Sequence, residues 1–181
     1  MNISRPLRRP RFGSGVFPGL FIVAAVSGAD VGGLAAGQAA GACGLLTTEE
    51  IQPLAPREVT VANGVATSME AAGFSSCRFT WGEGAEQFKL DVSVNDASRM
   101  FSGMNPDAIK QRMQASVITG TMDAVIPDVG DAAVFRAESP VSVQASTYQK
   151  GRVLQVRLDG FGARDRKDQL IALLKSAAAR F

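Results

Sequence analysis

Cys77-Arg78-Phe79-Thr80-Trp81-Gly82-Glu83-Gly84-Ala85-Glu86-Gln87-Phe88-Lys89-Leu90-Asp91-Val92-Ser93-Val94 is the stretch that decides how this chain folds. Cys77, Phe79 and Trp81 alternate with Arg78 and Thr80. After a glycine-rich turn, Phe88, Leu90, Val92 and Val94 alternate with Lys89, Asp91 and Ser93. A period of two places every apolar side chain on one side of an extended backbone, so the stretch predicts a β-hairpin with one buried face. Gly82 and Gly84 lie between two strands, where glycine serves a turn and not a phosphate.

The same reasoning carries outward. Asn105 is a natural N-cap, Pro106 fits the first helical position, and Ile109, Met113 and Val117 recur on one side of a helix that ends by Gly120. Strands follow at 132–136, 141–149 and 152–158, the last two joined across Lys150-Gly151. A closing helix over 164–179 carries Leu170, Leu173, Leu174 and Ala177 at helical spacing. Upstream, Thr47 and Glu50 form a capping box, Leu46 can staple onto Ile51, and Pro53 shortens or kinks the helix they start. Residues 57–75 carry the weakest pattern, read as a strand at 59–62 and a helical turn near Met69. Strands in runs, with helices between the runs, favour an antiparallel sheet over a parallel one. The expectation is a single α+β domain over 43–181, with about five strands and helices packed on one face.

At 181 residues, 46% hydrophobic and 20% charged, the chain has room for one domain and a tail, and is neither fibrous nor disordered. The tail reads as an address. Arg5, Arg8, Arg9 and Arg11 precede an apolar run over 16–26, in the order of a secretory signal peptide. A membrane-spanning helix needs about 20 apolar residues, and this run is short and broken by Pro18 and Gly19, which makes a permanent anchor the lesser reading. Arg8-Arg9 before Phe12 is only a faint twin-arginine signal, since Pro10 and Arg11 intervene. Cleavage is expected after Ala29, with Ala42 as the late alternative, and the glycine- and alanine-rich residues 30–42 read as a flexible linker. Removing residues 1–29 takes away four arginines and no acid. The balance moves from 19 cations against 17 anions to 15 against 17, or from +2 to −2. A mature surface near neutrality gives no electrostatic reason to expect nucleic acid as a partner.

Cys43 and Cys77 are the only cysteines, and in an oxidising compartment a disulfide is the natural pairing. The alternative is lipidation of Cys43. Ala40-Gly41-Ala42-Cys43 resembles a lipobox that lacks the large aliphatic residue three positions before the cysteine. Two free thiols complete the alternatives, without support from a C-x-x-C spacing or a zinc-ligand set.

Catalytic chemistry is constrained by an absence, because the chain contains no histidine. The usual general base, metal ligand and pH switch are missing. There is no G-x-S-x-G elbow, no S-x-x-K pair and no phosphate-binding glycine loop. No cofactor is expected. Asp123, Asp128 and Asp131 are close in sequence and define the alternative function, a calcium site or a carboxylate-based enzyme. The competing reading of Asp128-Val129-Gly130-Asp131 is a turn into the following strand. Trp81 shares a face with Cys77 and Phe79 and is expected in the core. Tyr148 alternates with Ser142, Gln144 and Ser146 away from Val143 and Ala145, and Gln155 and Arg157 join them on the next strand. Gln144, Tyr148, Gln155 and Arg157 are therefore the candidate face for a ligand or partner.

Cys43-Gly44-Leu45-Leu46-Thr47, Cys77-Arg78-Phe79-Thr80-Trp81 and Val129-Gly130-Asp131-Ala132-Ala133 occur in this order ahead of a C-terminal helix. In this the chain resembles a family of small exported bacterial proteins, many of them lipoproteins, whose function is unassigned. The resemblance covers 43–181 and implies an α+β domain outside the cytoplasm with its cysteines bridged. It brings no catalytic residues. The departures are the poor lipobox and Pro53. The functional expectation is an exported, periplasmic or secreted, non-enzymatic domain that binds a protein or small ligand at the cell envelope, without a membrane span in the mature chain.

Overall fold

The computed structural model describes residues 41–181. The expected leader, its cleavage site after Ala29 and nearly all of the expected linker lie outside these residues.

The hairpin forms as its alternation demands and extends at both ends. The strands are β1 (Val65–Met69), β2 (Phe74–Trp81), β3 (Phe88–Asp96), β4 (Ala124–Val125), β5 (Ala132–Ser139), β6 (Ser142–Gln149) and β7 (Arg152–Asp159). The helices are α1 (Thr48–Ile51), α2 (Ala97–Met100), α3 (Pro106–Ile118) and α4 (Lys167–Arg180). All neighbouring strands are antiparallel, in the order β1-β2-β3-β7-β6-β5-β4. Two meanders, β1 to β3 and β4 to β7, are thus sewn together along β3 and β7. Among the described residues the sheet has seven strands where about five were expected. The additional strands are β1 and β4, one lying in the least patterned segment and the other only two residues long.

Cys77, Phe79, Trp81, Leu90, Val92, Val143, Ala145, Leu154, Val156 and Leu158 point to one face and are all buried. Leu170, Leu173, Leu174 and Ala177 of α4 cover them, together with Leu45, Leu46, Ile51 and Leu54 from the N-terminal segment. Trp81 stacks on Phe88 with ring centroids 5.5 Å apart, and the Arg166 guanidinium lies 4.9 Å above the Phe88 ring. Helices are not confined to this face. Ile109 and Met113 of α3 pack with Ala97, Ala132, Val134, Tyr148 and Val153, whose side chains alternate to the opposite side. The expected one-sided arrangement is therefore corrected. α4 covers one face, and α3 covers one end of the other.

Local signals account for the helix starts. The Thr47 hydroxyl accepts from the Glu50 amide at 3.4 Å while the Glu50 carboxylate accepts from the Thr47 amide at 3.0 Å, the reciprocal capping box. Pro53 ends α1 early, and the chain continues as a tight 3-10 turn over Gln52–Leu54. Asn105 accepts from the Ala108 amide at 2.8 Å, with Pro106 at the first position of α3. The expected strand at 59–62 does not form, although the Ala62 amide donates to the Thr80 carbonyl. Its place in the sheet is taken by β1, which runs to Met69, where a helical turn was expected; the 3-10 turn comes directly after it, at Glu70–Ala72. The folded part also begins earlier than Cys43. Ala42 is only 1% exposed and opens a 3-10 turn over Ala42–Gly44, so it belongs to the core and not to the linker.

The two ends of the described chain are tied by charge. Glu50 Oε1 accepts from Arg180 Nη2 at 2.9 Å, and the same carboxylate accepts from the Ser176 hydroxyl. The Arg180 guanidinium, opposed by partial burial and helped by Ser176 and the Thr47 amide, lowers the Glu50 pKa from 4.5 to about 2. A carboxylate depressed in the folded state stabilises fully above its unfolded pKa, and that contribution disappears as pH falls from about 4.5 through 2. Solvent screening at this largely open site holds the contribution of the Glu50 carboxylate to about 1 kcal/mol or less. Glu50→Gln should lose that much stability at pH 7 and show a shallower decline in melting temperature between pH 4.5 and 2 than the unsubstituted chain. Parallel acid titrations followed by circular dichroism would check both.

Candidate functional site

A groove of about 980 Å³ lies at the end of the sheet where β1, β2 and β3 pass under the N-terminal segment. Its size falls in the range of small-molecule sites, roughly 300–1,000 Å³. Ala66, Ser68, Ser75 and Val94 belong to one face by register, since Ser68 lies opposite Ser75 and Ser75 opposite Val94. They line the groove together with Ala42, Cys43 and Leu45 on one side and Lys150, Arg152 and Phe181 on the other.

The Cys43–Cys77 disulfide holds the first wall, with Cα atoms 4.8 Å apart across a sequence separation of 34. In the bridged form Cys43 cannot also carry the alternative lipid, because one sulfur does not form both bonds. A Cβ at Gly64 would come within 2.3 Å of Cys77 Sγ, so only glycine lets the backbone pass the bridge here. The Ala42 amide adds a hydrogen bond to Ser75 Oγ at 2.9 Å, which places the 3-10 turn on the sheet.

The second wall carries three cationic side chains, Lys150, Arg152 and Arg180, and one carboxylate, Asp96. Lys150 Nζ donates to the Phe181 carbonyl oxygen at 2.8 Å, and Arg180 is occupied by Glu50. Arg152 is exposed and makes no ion pair within 4.0 Å among the described residues. Asp96 lies opposite Arg152 in register. The Ser98 hydroxyl and amide hold its carboxyl below the usual range, and Arg99 and Arg152 add to that effect. Chemically the groove offers an apolar floor, serine and threonine hydroxyls and an end where Lys150 and Arg152 stand beside Asp96. These are binding groups. No imidazole exists to activate the hydroxyls.

The face expected to carry recognition is only partly open. Arg78, Asp91, Arg157, Gln144 and Arg136 form one row across five strands, and Ser76, Ser93, Gln155, Ser146 and Val134 form the next. Gln144, Gln155 and Arg157 are thus neighbours and half-buried, as alternation suggested. Arg157 is engaged by Asp159 and Glu138, each at 3.1 Å, and Ser142 donates to Asp159 at 2.6 Å. Arg78 is matched by Asp91 at 2.7 Å. Two of the row's three arginines are thus already matched by carboxylates, while Arg136 makes no ion pair within 4.0 Å among the described residues. Tyr148 does not join the row. It lies two residues further along β6 than Ser146, under α3, and is 3% exposed. Alternation identifies the side of the sheet to which a residue points, but not whether a helix lies over it.

The three aspartates do not meet. Asp123 Oδ2 accepts from the Ala137 amide, whereas the Asp131 amide donates to Tyr148 O at the opposite end of β5. The extended chain between Asp131 and Ala137 spans about 20 Å. No group of three His, Cys, Asp or Glu side chains able to hold a metal ion occurs among the described residues. Residues 128–131 form the turn that was the competing reading. Asp128 and Gly130 have φ of 59° and 55°, and a Cβ at Gly130 would come within 2.8 Å of Tyr148 O.

Sequence reading missed the groove because its lining comes from β1, two turns and both ends of the domain. The one local clue was Lys150-Gly151-Arg152, read only as a hairpin turn. Among the described residues no helix is long and apolar enough to cross a membrane. Neither family models, nor curated proteins, nor solved structures match this chain.

Proposed function

We propose that this chain is an exported, non-enzymatic binding domain of the cell envelope, periplasmic or secreted, and one of the small exported bacterial proteins it resembles. We assign its ligand site to the groove beside the Cys43–Cys77 bridge. The reading is carried by one observation: an apolar floor of Ala66 and Val94 ends at an exposed Arg152 that, although Asp96 lies opposite it in register, makes no ion pair within 4.0 Å among the described residues. That combination suits a small amphiphile with an anionic group, whose apolar body leaves water while its charge meets the guanidinium. A disulfide supports export, since such bonds persist mainly outside the reducing cytosol.

Anilinonaphthalene sulfonate, an aromatic body bearing one sulfonate, is a suitable probe. The folded protein is expected to enhance its fluorescence saturably, with Arg152→Glu weakening binding about tenfold and Arg157→Glu leaving it within about twofold. Equal effects of the two charge reversals would remove the groove from consideration. Intact mass of the exported protein, with and without reductant, would test export and the bridge together. Loss of the leader and a gain of two hydrogens on reduction are expected. An acyl mass on Cys43 would contradict the reading.

A further inference from the structure

We propose that β1 is the pairing edge for a second copy of this chain, two β1 strands adding antiparallel about a twofold axis through Thr67. Among the described residues β1 and β4 are the two edges of the sheet. Natural edges are commonly blunted by shortness, charge or proline. β4 follows this rule, with two residues and Asp123 immediately before it. β1 does not. Its five residues, Val65-Ala66-Thr67-Ser68-Met69, are all exposed and carry no charge or proline; the nearest charge, Glu70, follows the strand and in the pairing below falls opposite uncharged Gly64. Val65 and Met69 are 69% and 55% exposed, on the same side of the strand.

The order of side chains commits the edge to itself. Centring the pair on Thr67 puts Val65 opposite Met69 of the second copy, Ala66 opposite Ser68, and Thr67 opposite Thr67. Apolar then meets apolar, small meets small, and threonine meets threonine, each a favourable cross-strand pair. Moving the register by one residue would set Val65 against Ser68 and turn the polar face of one sheet toward the core side of the other. Arg78, the charged neighbour of Val65 on β2, is neutralised by Asp91 and presents no net repulsion. The result is a continuous sheet of twice seven strands. Ala66 and Ser68 also line the groove, so pairing joins two grooves edge to edge, while the dimer itself requires no ligand.

Sedimentation equilibrium of the purified, bridged chain between about 1 and 100 μM tests this directly. A reversible dimer is expected. Thr67→Lys brings two ammonium groups together at the axis and should weaken it about fivefold to tenfold. An equimolar mixture of Thr67→Lys and Thr67→Glu should recover a mixed dimer at least as tight as the unsubstituted one. A monomer throughout the range, a dimer indifferent to Thr67→Lys, or a mixture that stays monomeric would each overturn the proposal.

Discussion

Reduction of the Cys43–Cys77 bridge, or its replacement by Cys43→Ser with Cys77→Ser, is expected to lower the melting temperature by about 10 °C. The bridge closes a loop with a sequence separation of 34, for which the chain-entropy relation gives about 4 kcal/mol. At the size of this domain, 1 kcal/mol corresponds to roughly 3 °C. The structural consequence should be local before it is global. The bridge pins the turn containing Ala42 and Leu45 onto β2, and those residues are 1% exposed in the core. Releasing them opens the first wall of the groove. Circular dichroism melts with and without reductant would measure the stability loss, and faster amide hydrogen exchange confined to residues 42–46 below the melting transition would report the wall. A reduced protein that melts within about 2 °C of the oxidised one would show that the clasp contributes little.

Tyr148→Ala is the second substitution with a large expected effect, about 3–4 kcal/mol of stability, or again near 10 °C. Its ring lies with Ile109, Met113, Val134 and Val153 in the smaller core under α3. Truncation removes the largest side chain of that cluster, while Ala132, Val134 and Val153 remain beneath Ile109 and Met113, and leaves a cavity that the surrounding packing closes only in part. Tyr148→Phe keeps the ring and should stay within about 1 kcal/mol. Gln144→Ala, on the same strand but at the open end of that face, should cost less than about 0.5 kcal/mol. Were Tyr148 a recognition residue on a solvated surface, alanine would spare the fold and affect only binding. Urea unfolding of the three variants separates these outcomes, because only the covered ring predicts a large change in midpoint.

The strands with clean alternation were legible because period-two patterning is a property of the strand itself. β3, β6 and β7 needed no partner to be recognised from Phe88, Leu90 and Val92, or from Val153 to Leu158. β1 was not legible, since all five of its residues are exposed and no buried face imposes a pattern on them. Its presence depends on β2 offering an unpaired edge. The candidate site divides in the same way. Gln144, Gln155 and Arg157 were placed together by strand parity and do lie in adjacent rows. The groove, by contrast, joins residues as distant as Ala42 and Arg152, and no local signal links them.

The sequence by itself determined the strand faces, the capped helix starts at Thr47 and Asn105, the turn at residues 128–131 and the two cysteines available for a bridge. Each of these follows from side chains within a few positions of one another, where backbone sterics and alternation leave few choices. Only the tertiary structure decided that β3 lies against β7, that α3 covers Tyr148 while leaving Arg157 open, and that Asp123 stands far from Asp131. Those outcomes depend on which apolar surfaces meet across long stretches of chain, and such meetings are set by the packing of the whole domain and leave no periodic trace in the local sequence.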